Sequence, residues 1–369
     1  SLKWDWCISR ERFYGVPLPV FSCDNCDAIV IPDASTFPLD PKIQNTENPC
    51  PKCKTGKLIG EKNVLDTWFT SALTPDINND HPLNGSLRGK MYPMSLRPLG
   101  HDIIRTWVVY TILMGLYRHQ EIPWKNLMVS GHILLRQGEK ISKKTGGGKY
   151  KPEELIAKES ADAVRYAMFG ATLGRDAYFD EKEVEKGRKL ATKLYNAGKL
   201  VLGGLQGFDP HASLAVGQST AFDQWIVQKT FLAAAGMAKA FEEYEYSQAR
   251  RIFEEFFWTD FCDNYLEIVK GRFLADLSDP AKLAVKISAQ NAGYQCYLSI
   301  LKMASPFIPH ITEEMYHAEI VKSSDPENGR DSVTAEADTG YFCRYEGIKS
   351  IHNTTWPAAS KKTEPEIDS

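Results

Sequence analysis

The sequence predicts an α/β region followed by an all-α region, and three observations carry that prediction. Residues 1–66 hold short apolar runs, such as Ala28-Ile29-Val30-Ile31, between turns rich in Pro, Asp and Cys. Between Asp102 and His119, Ile104, Trp107, Val108, Ile112 and Gly115 recur at three- and four-residue steps between Pro98 and Pro123, which reads as one buried helix. Beyond Pro152 the segments 153–171, 180–205, 221–242, 246–275 and 281–304 carry a 3.6-residue period with few internal breakers. A chain of 369 residues, 43% hydrophobic and 25% charged, has room for two or three ordinary globular domains and fits neither a disordered nor a membrane-embedded class.

In chain order, the Pro/Asp/Cys-rich start needs a local organiser, because its apolar runs are too short to build a core. Leu127-Met128-Val129 and Ile133-Leu134-Leu135 flank Gly131 and look like a strand pair, leading into a Lys- and Gly-rich loop from Gly138 to Lys151. The helical segments that follow are separated at Gly203-Gly204 through Gly217 and at Ser278-Asp279-Pro280. Ala249, Ile252, Phe253, Phe256 and Phe257 form an apolar stripe at helical steps, the pattern of a bundle core. The stretches 323–340 and 358–369 are polar and read as loop or tail, and no internal repeat is visible.

Two constellations carry chemistry. Cys23-Asp-Asn-Cys26 and Cys50-Pro-Lys-Cys53 are paired knuckles 23 residues apart, able to bring four thiolates to the corners of a tetrahedron. This points to structural zinc, with reduced, metal-free cysteines as the alternative; four thiolates leave no open position for a catalytic water. Cys7, Cys262, Cys296 and Cys343 lack partners at such spacing and read as small apolar residues. Lys140-Ile141-Ser142-Lys143-Lys144, followed by Thr145-Gly146-Gly147-Gly148-Lys149, gathers ammonium groups, a hydroxyl and accessible backbone amides. Such a loop suits a phosphate-bearing ligand, although composition alone equally allows a solvated basic loop, and the Gly-x-x-x-x-Gly-Lys-Ser/Thr pattern is absent. With 44 basic against 47 acidic side chains the formal charge is -3, so a nucleic-acid partner would have to meet a local basic surface.

Lys140 to Lys144 resembles the Lys-Met-Ser-Lys-Ser signature of class I aminoacyl-tRNA synthetases, with Ile141 for Met and Lys144 for the final Ser. Asp5-Trp6-Cys7-Ile8-Ser9-Arg10 and Tyr14-Gly15-Val16-Pro17 resemble the segment that re-enters the catalytic domain after the editing insertion in the valyl/isoleucyl/leucyl branch. Asp66-Thr67-Trp68-Phe69-Thr70-Ser71-Ala72-Leu73 is closer to the valyl form than to the isoleucyl one. Gly100-His101-Asp102 resembles the Gly-x-Asp segment at the adenosine ribose. Gly174-Arg175-Asp176 to Phe179, Glu255 to Arg272, Ser305-Pro306-Phe307-Ile308-Pro309-His310, and Ser350-Ile351-His352 with Trp356-Pro357 resemble the helical part of the same enzymes.

The resemblance implies a fold and a set of roles. Residues 1–135 would be the second half of a Rossmann-type catalytic domain with zinc knuckles at about 21–60. Residues 136–180 would be the Lys loop and a connecting domain, and 181–369 an anticodon-binding helix bundle with a polar tail. The parallel sheet rests on this resemblance, since periodicity before residue 130 is weak. The reaction implied is valine activation by ATP, with Mg2+, and transfer to tRNA(Val). Lys140 and Lys143 would stabilise the triphosphate, Ser142 would assist loop closure, Gly100 and Asp102 would contact the ribose, and His132 would lie near the adenine. Trp68 and Trp107 match positions walling the amino-acid pocket, or are two core tryptophans. An apolar pocket rejects a hydroxyl-bearing isostere poorly, a valine site faced with threonine being the standard illustration. Lys182, Lys186, Arg188, Lys189, Lys193, Arg250, Arg251, Lys270 and Arg272 are candidates for tRNA phosphates.

Nothing in the chain matches the other class I signature, His-x-Gly-His, or an editing domain. The expectation is a fragment of a larger synthetase that needs a separate or missing N-terminal half to activate valine. The rival expectations are a non-catalytic tRNA-binding subunit or paralogue and isoleucyl specificity. No apolar run is long enough for a membrane span and no signal-peptide pattern opens the chain, so a cytoplasmic protein is expected.

Overall fold

The computed structural model describes residues 5–44, 46, 48–136, 139–140, 151–208, 219–273, 275, 280–317, 348 and 350–358, without the side chains of 136, 139, 140, 280 and 281. The chain divides into two compact units, Ser1–Ser130 and Gly131–Ser369. Ser142, Lys143, Cys343 and the polar stretches 323–340 and 358–369, residue 358 excepted, lie outside the described residues.

The first unit opens with short strands: β1 (Ser9–Arg10), β2 (Phe21–Cys23), β3 (Ile29–Val30), β4 (Leu58–Gly60) and β5 (Val64–Leu65). β1 pairs with β5, and β2 lies between β3 and β4, all antiparallel. Helices α1 (Thr67–Ala72) and α2 (Thr74–Asp80) follow, then β6 (Met94–Gly100), α3 (Val109–His119) and β7 (Trp124–Ser130). β6 and β7 run parallel from Met94↔Trp124 to Gly100↔Ser130. Parallel neighbours need a crossover, and α3 supplies it. The expected helix over 102–119 is present with an irregular start, a 3-10 turn at His101–Ile103 and a π turn at Ile104–Val108. It ends at Gln120 in the left-handed conformation, whose amide donates to the Leu116 carbonyl at 3.0 Å. Leu99, Trp107, Val108 and Trp124 form the buried core here, packed by Met94, Ile103, Ile112 and Val129.

The second unit begins with β8 (Ile133–Arg136) and β9 (Glu139–Lys140), continues through α4 (Pro152–Lys158) and α5 (Ala161–Met168), and returns to β10 (Ala177–Tyr178). β8 takes β10 on one side in parallel and β9 on the other antiparallel. The two apolar runs around Gly131 are therefore strands, but they do not pair with each other: β7 belongs with β6, and β8 with β9 and β10. The single helix expected over 153–171 breaks at Glu159 and Ser160. Ser160, at φ 134°, caps α5 by accepting from the Ala163 amide at 3.2 Å.

Six further helices are α6 (Glu181–Gly203), α7 (Ala221–Glu242), α8 (Tyr246–Glu255), α9 (Glu267–Phe273), α10 (Pro280–Ala304) and α11 (Pro309–Met315). A π-helical stretch, Phe256–Leu266, joins α8 to α9 without interruption. Phe253, Phe257, Phe261 and Tyr265 stack in succession along this run at 5.5–6.3 Å between ring centroids. Ala249, Phe253, Phe256 and Phe257 are buried and Ile252 packs beside them, so the predicted stripe is core. Cys262 and Cys296 are buried as expected, whereas Cys7 is exposed and is not a packing residue.

Candidate nucleotide and metal sites

Gly100 is the last residue of β6, opposite Ser130 at the end of β7, and Asp102 follows in the 3-10 turn. Open parallel sheets bind ligands at the carboxyl ends of their strands, and this turn occupies that edge. A methyl group on Gly100 would sit 2.8 Å from Asp102 Oδ1, so the backbone here is closely approached by the carboxylate. Asp102 is exposed.

Asp66 is 4% exposed, caps α1 by accepting from the Trp68 amide at 2.6 Å, and forms an ion pair with Arg10. It thereby anchors the start of α1 to β1, and α1 packs on the π turn and on α3. Trp6 adds a stack on Tyr110, with ring centroids 3.9 Å apart. Trp68 on α1 is 38% exposed and available to a ligand. Trp107 is 7% exposed in the core, with the Arg97 guanidinium 3.4 Å above its ring. Burial holds Arg97 below the usual guanidinium range, and its Nε is buried without a hydrogen-bond partner among the described residues. Sequence reasoning does not single out Arg97, whose strand has no clean alternation; the Asp66-Thr67 helix start does carry a legible capping signal.

In the second unit the His132 amide donates to Asp176 Oδ1 at 2.7 Å and its carbonyl accepts from Ala177 at 2.9 Å, which fixes the entry to β8. Lys140 lies in β9 opposite Leu134.

The four predicted cysteines meet. Their sulfurs all lie within 4.8 Å of one another, with Cys23 to Cys53 at 3.6 Å and Cys26 to Cys50 at 3.7 Å. Ligands placed tetrahedrally at the ~2.3 Å of a zinc–sulfur bond would be roughly 3.8 Å apart, so the spacing fits. Both knuckles fold alike. The Asp27 amide donates to the Cys23 carbonyl at 3.1 Å and the Lys54 amide to the Cys50 carbonyl at 2.8 Å, and Asp27 and Lys54 both have positive φ, 54° and 62°. Backbone amides point at sulfur: Asn25 at Cys23 (3.4 Å) and Gly56 at Cys53 (3.3 Å). Amides of Thr55 and Gly56 lower Cys53 to about 5. Cys26, though lowered by the Ala28 amide, is raised to about 12 by burial and the neighbouring thiols. Four thiolates this close repel unless a divalent cation sits among them.

The proposed tRNA cations divide into two kinds. Arg188 and Lys189 are exposed, paired with Glu159 at 3.2 Å and Glu185 at 3.0 Å, and Arg251 is exposed with no ion pair among the described residues. Arg250 is different. It is 11% exposed, reaches Glu183 at 3.0 Å and Glu254 at 3.3 Å, donates to the Tyr166 carbonyl and lies 4.5 Å over the Tyr166 ring. Its two terminal nitrogens donate to the Tyr166 carbonyl and to Glu183, so protein groups hold the guanidinium. Arg272 is likewise held by Asp223 at 3.3 Å.

A family model described as tRNA synthetases class I (I, L, M and V) matches residues 3–180, and one described as anticodon-binding domain of tRNA ligase matches 223–369. The chain belongs to the class I aminoacyl-tRNA synthetases. It is 37% identical over 326 residues to a valine–tRNA ligase of Ehrlichia ruminantium, a match covering 86% of this chain and 38% of that one. Against the valine–tRNA ligase of Haloarcula marismortui it is 34% identical over 368 residues, covering 97% of this chain and 36% of the relative. The chain thus spans little more than a third of these relatives' length. Among solved structures, it resembles a leucyl-tRNA synthetase of Agrobacterium radiobacter in a ternary complex with tRNA and LeuAMS, at TM-score 0.66 and 18% identity, over 84% of this chain and 41% of that one. It also resembles a Mycobacterium tuberculosis methionyl-tRNA synthetase bound by methionyl-adenylate, at TM-score 0.56 and 15% identity, over 69% and 50%. These structures support the fold: a class I catalytic portion followed by an anticodon-binding domain. Among the described residues, no helix is long and apolar enough to cross a membrane.

Proposed function

We propose that this chain supplies the nucleotide-side half of the active site and the tRNA-binding helices of a valine–tRNA ligase. The observation that carries the reading is the Gly100-His101-Asp102 turn at the carboxyl end of the parallel β6–β7 pair, in a chain 34–37% identical to valine–tRNA ligases. In that reaction the valine carboxylate attacks the α-phosphate of ATP, pyrophosphate leaves, and a terminal ribose hydroxyl of tRNA(Val) then takes the valyl group. Asp102 accepts from the ATP ribose, Gly100 lets the ribose approach the backbone, and His132 lies beside the adenine. Lys140 and Lys143 stabilise charge on the leaving pyrophosphate, which carries Mg2+ with it, and Ser142 assists closure of their loop. Trp68 and Trp107 offer apolar walls to the valine methyls. Arg188, Lys189 and Arg251 face tRNA phosphates.

The domain assignment follows: 1–135 catalytic, 136–180 the Lys loop and connection, 181–369 anticodon-binding. Zinc held by Cys23, Cys26, Cys50 and Cys53 is structural; it supplies the cross-link that short strands cannot, in a cytoplasm that keeps thiols reduced. The test is amino-acid-dependent exchange of pyrophosphate into ATP, run on the chain alone and on the full-length protein, with valine, isoleucine and threonine. Exchange by the full-length protein that prefers valine, with none from the chain alone because it holds no His-x-Gly-His, is the expected result. Preference for isoleucine, or tRNA binding without exchange by the full-length protein, would overturn it.

A further inference from the structure

Arg97 is a cation where an aliphatic side chain would pack at lower cost. It belongs to β6, opposite Leu127 in β7, and its guanidinium lies 3.4 Å from the centre of the Trp107 ring. Leu99, Trp107, Val108 and Trp124 are the buried apolar side chains of this region, so an arginine among them gives up hydration. No carboxylate offsets that loss: burial is the one influence that lowers Arg97, and its Nε is buried with no hydrogen-bond partner among the described residues. The indole face offsets part of it, because a guanidinium is attracted by the ring quadrupole and can lie flat on the ring, as an ammonium cannot. The far end of the group reaches a second element. Nη2 donates to Thr74 Oγ1 at 3.5 Å, and the Thr74 hydroxyl spends its own proton on the Ser71 carbonyl at 2.8 Å, which leaves its oxygen as an acceptor. Leu73 alone separates α1, the helix of Trp68, from Thr74, the first residue of α2.

One planar group therefore touches both places from which the proposed pocket tryptophans project: the π turn with Trp107, and the corner that ends the helix with Trp68. The π turn and α1 also pack on each other. An aromatic wall separates two aliphatic side chains only while its ring does not yield, since an extra methylene is refused by overpacking against a surface that stays in place. We infer that Arg97 is a positioning residue for the amino-acid pocket, holding the Trp107 ring and the α1–α2 corner so that valine is admitted and the longer isoleucine is refused. It acts through Trp107 and not by contact with substrate. The inference rests on the proposed ligase reading and deepens it by naming what sets the size of the pocket.

The test is pyrophosphate exchange by the full-length protein with valine and isoleucine, the amino acid and ATP varied in turn. Arg97→Ala is expected to raise the KM for valine and to cut the valine-over-isoleucine ratio of kcat/KM about tenfold or more, with the KM for ATP unchanged. Arg97→Met keeps much of the bulk without the planar cation and is expected to lose selectivity in the same way, so it carries the test if the alanine variant does not fold. Trp107→Ala is expected to lose at least as much selectivity, and adding Arg97→Ala to it is expected to cost little more, as for two residues that act as one unit. An unchanged ratio in Arg97→Ala overturns the inference, and so does wild-type selectivity in Arg97→Met, which would make bulk alone sufficient. Equal losses for both amino acids and for ATP would make Arg97 a fold residue only, and full additivity with Trp107→Ala would remove the route through that ring. A wild-type full-length protein that does not prefer valine overturns the ligase reading itself, whatever the variants do.

Discussion

Gly56 joins both knuckles through the space its missing side chain leaves. Its amide donates to Cys53 Sγ at 3.3 Å, its carbonyl accepts from Cys50 at 2.9 Å, and a methyl group at this position would run into Cys23 Sγ. Gly56→Ala is therefore expected to weaken zinc binding by about 10–100-fold, the usual range for a group that supports ligands, while leaving the four cysteines in place. Competition against a chromophoric chelator reads this directly, and an unchanged affinity would remove Gly56 from the site. The cysteines were legible because ligand spacing is a local code; Gly56 was not, since its neighbour Cys23 is 33 residues away in sequence. Asp223 was hidden for the same reason. It is 1% exposed and accepts from Tyr265 at 2.9 Å, Ser288 at 2.5 Å, Thr220 at 2.6 Å and Arg272 at 3.3 Å. Only Thr220-x-x-Asp223, a variant of the capping box, shows in the sequence. Asp223→Ala strands three hydroxyls and a guanidinium, and a loss of about 3 kcal/mol in denaturant unfolding is expected.

Elements read from periodicity fared well where the period was long. The segments 180–205, 221–242 and 281–304 match α6, α7 and α10 closely. What failed were junctions, because tertiary partners set them. Asp162, two residues into α5, accepts from the His310 and Ile311 amides at 3.1 and 2.8 Å and so caps α11, and Arg165 donates to the Pro306 carbonyl at 3.0 Å. That junction needs a separate helix α5, and nothing near residue 160 announces a partner at residue 310. Acidic groups at such junctions make the helices pH-sensitive. Burial alone would raise Glu183, but hydrogen bonds from Lys186 and Arg250 hold it below the usual carboxylate range. Glu313 is held low in the same sense, against burial, by the Ile351 amide and by Ser350. A carboxylate lower in the folded than in the unfolded chain contributes stability above about pH 4.5 that is lost as pH falls through the folded value. Helical ellipticity at 222 nm should therefore melt at progressively lower temperature from about pH 5 downward, and Glu183→Gln should flatten that dependence. A pH-independent midpoint over this range would contradict the assignment.

At the scale of the whole chain, the two units are built on different principles, and this decides which part was legible. The second unit has one contiguous core running from Tyr166 to Ile351, and bundle periodicity announces such a core from sequence alone. In the first unit the parallel β6–β7 pair was reached only through family resemblance. Met94–Gly100 contains a proline and no clean alternation, and its buried set is limited to Leu99, Trp107, Val108 and Trp124. Residues 21–60 contribute nothing to that set: among the described residues of the segment, Phe21, Cys23, Pro41 and Cys50 are the buried side chains with apolar surface. A segment with so little apolar burial cannot offset its own conformational entropy, and the metal ligation proposed for its four cysteines would supply the difference. Removing zinc with a strong chelator should then abolish amide-exchange protection across residues 21–60 while protection in α7 and α10 stays as it was. Exchange read by mass spectrometry resolves the two regions in one experiment. Retained protection at 21–60 in a zinc-free chain would mean that the strand pairings of β2, β3 and β4 suffice, and the four thiols would then be packing groups and not the organiser of that segment.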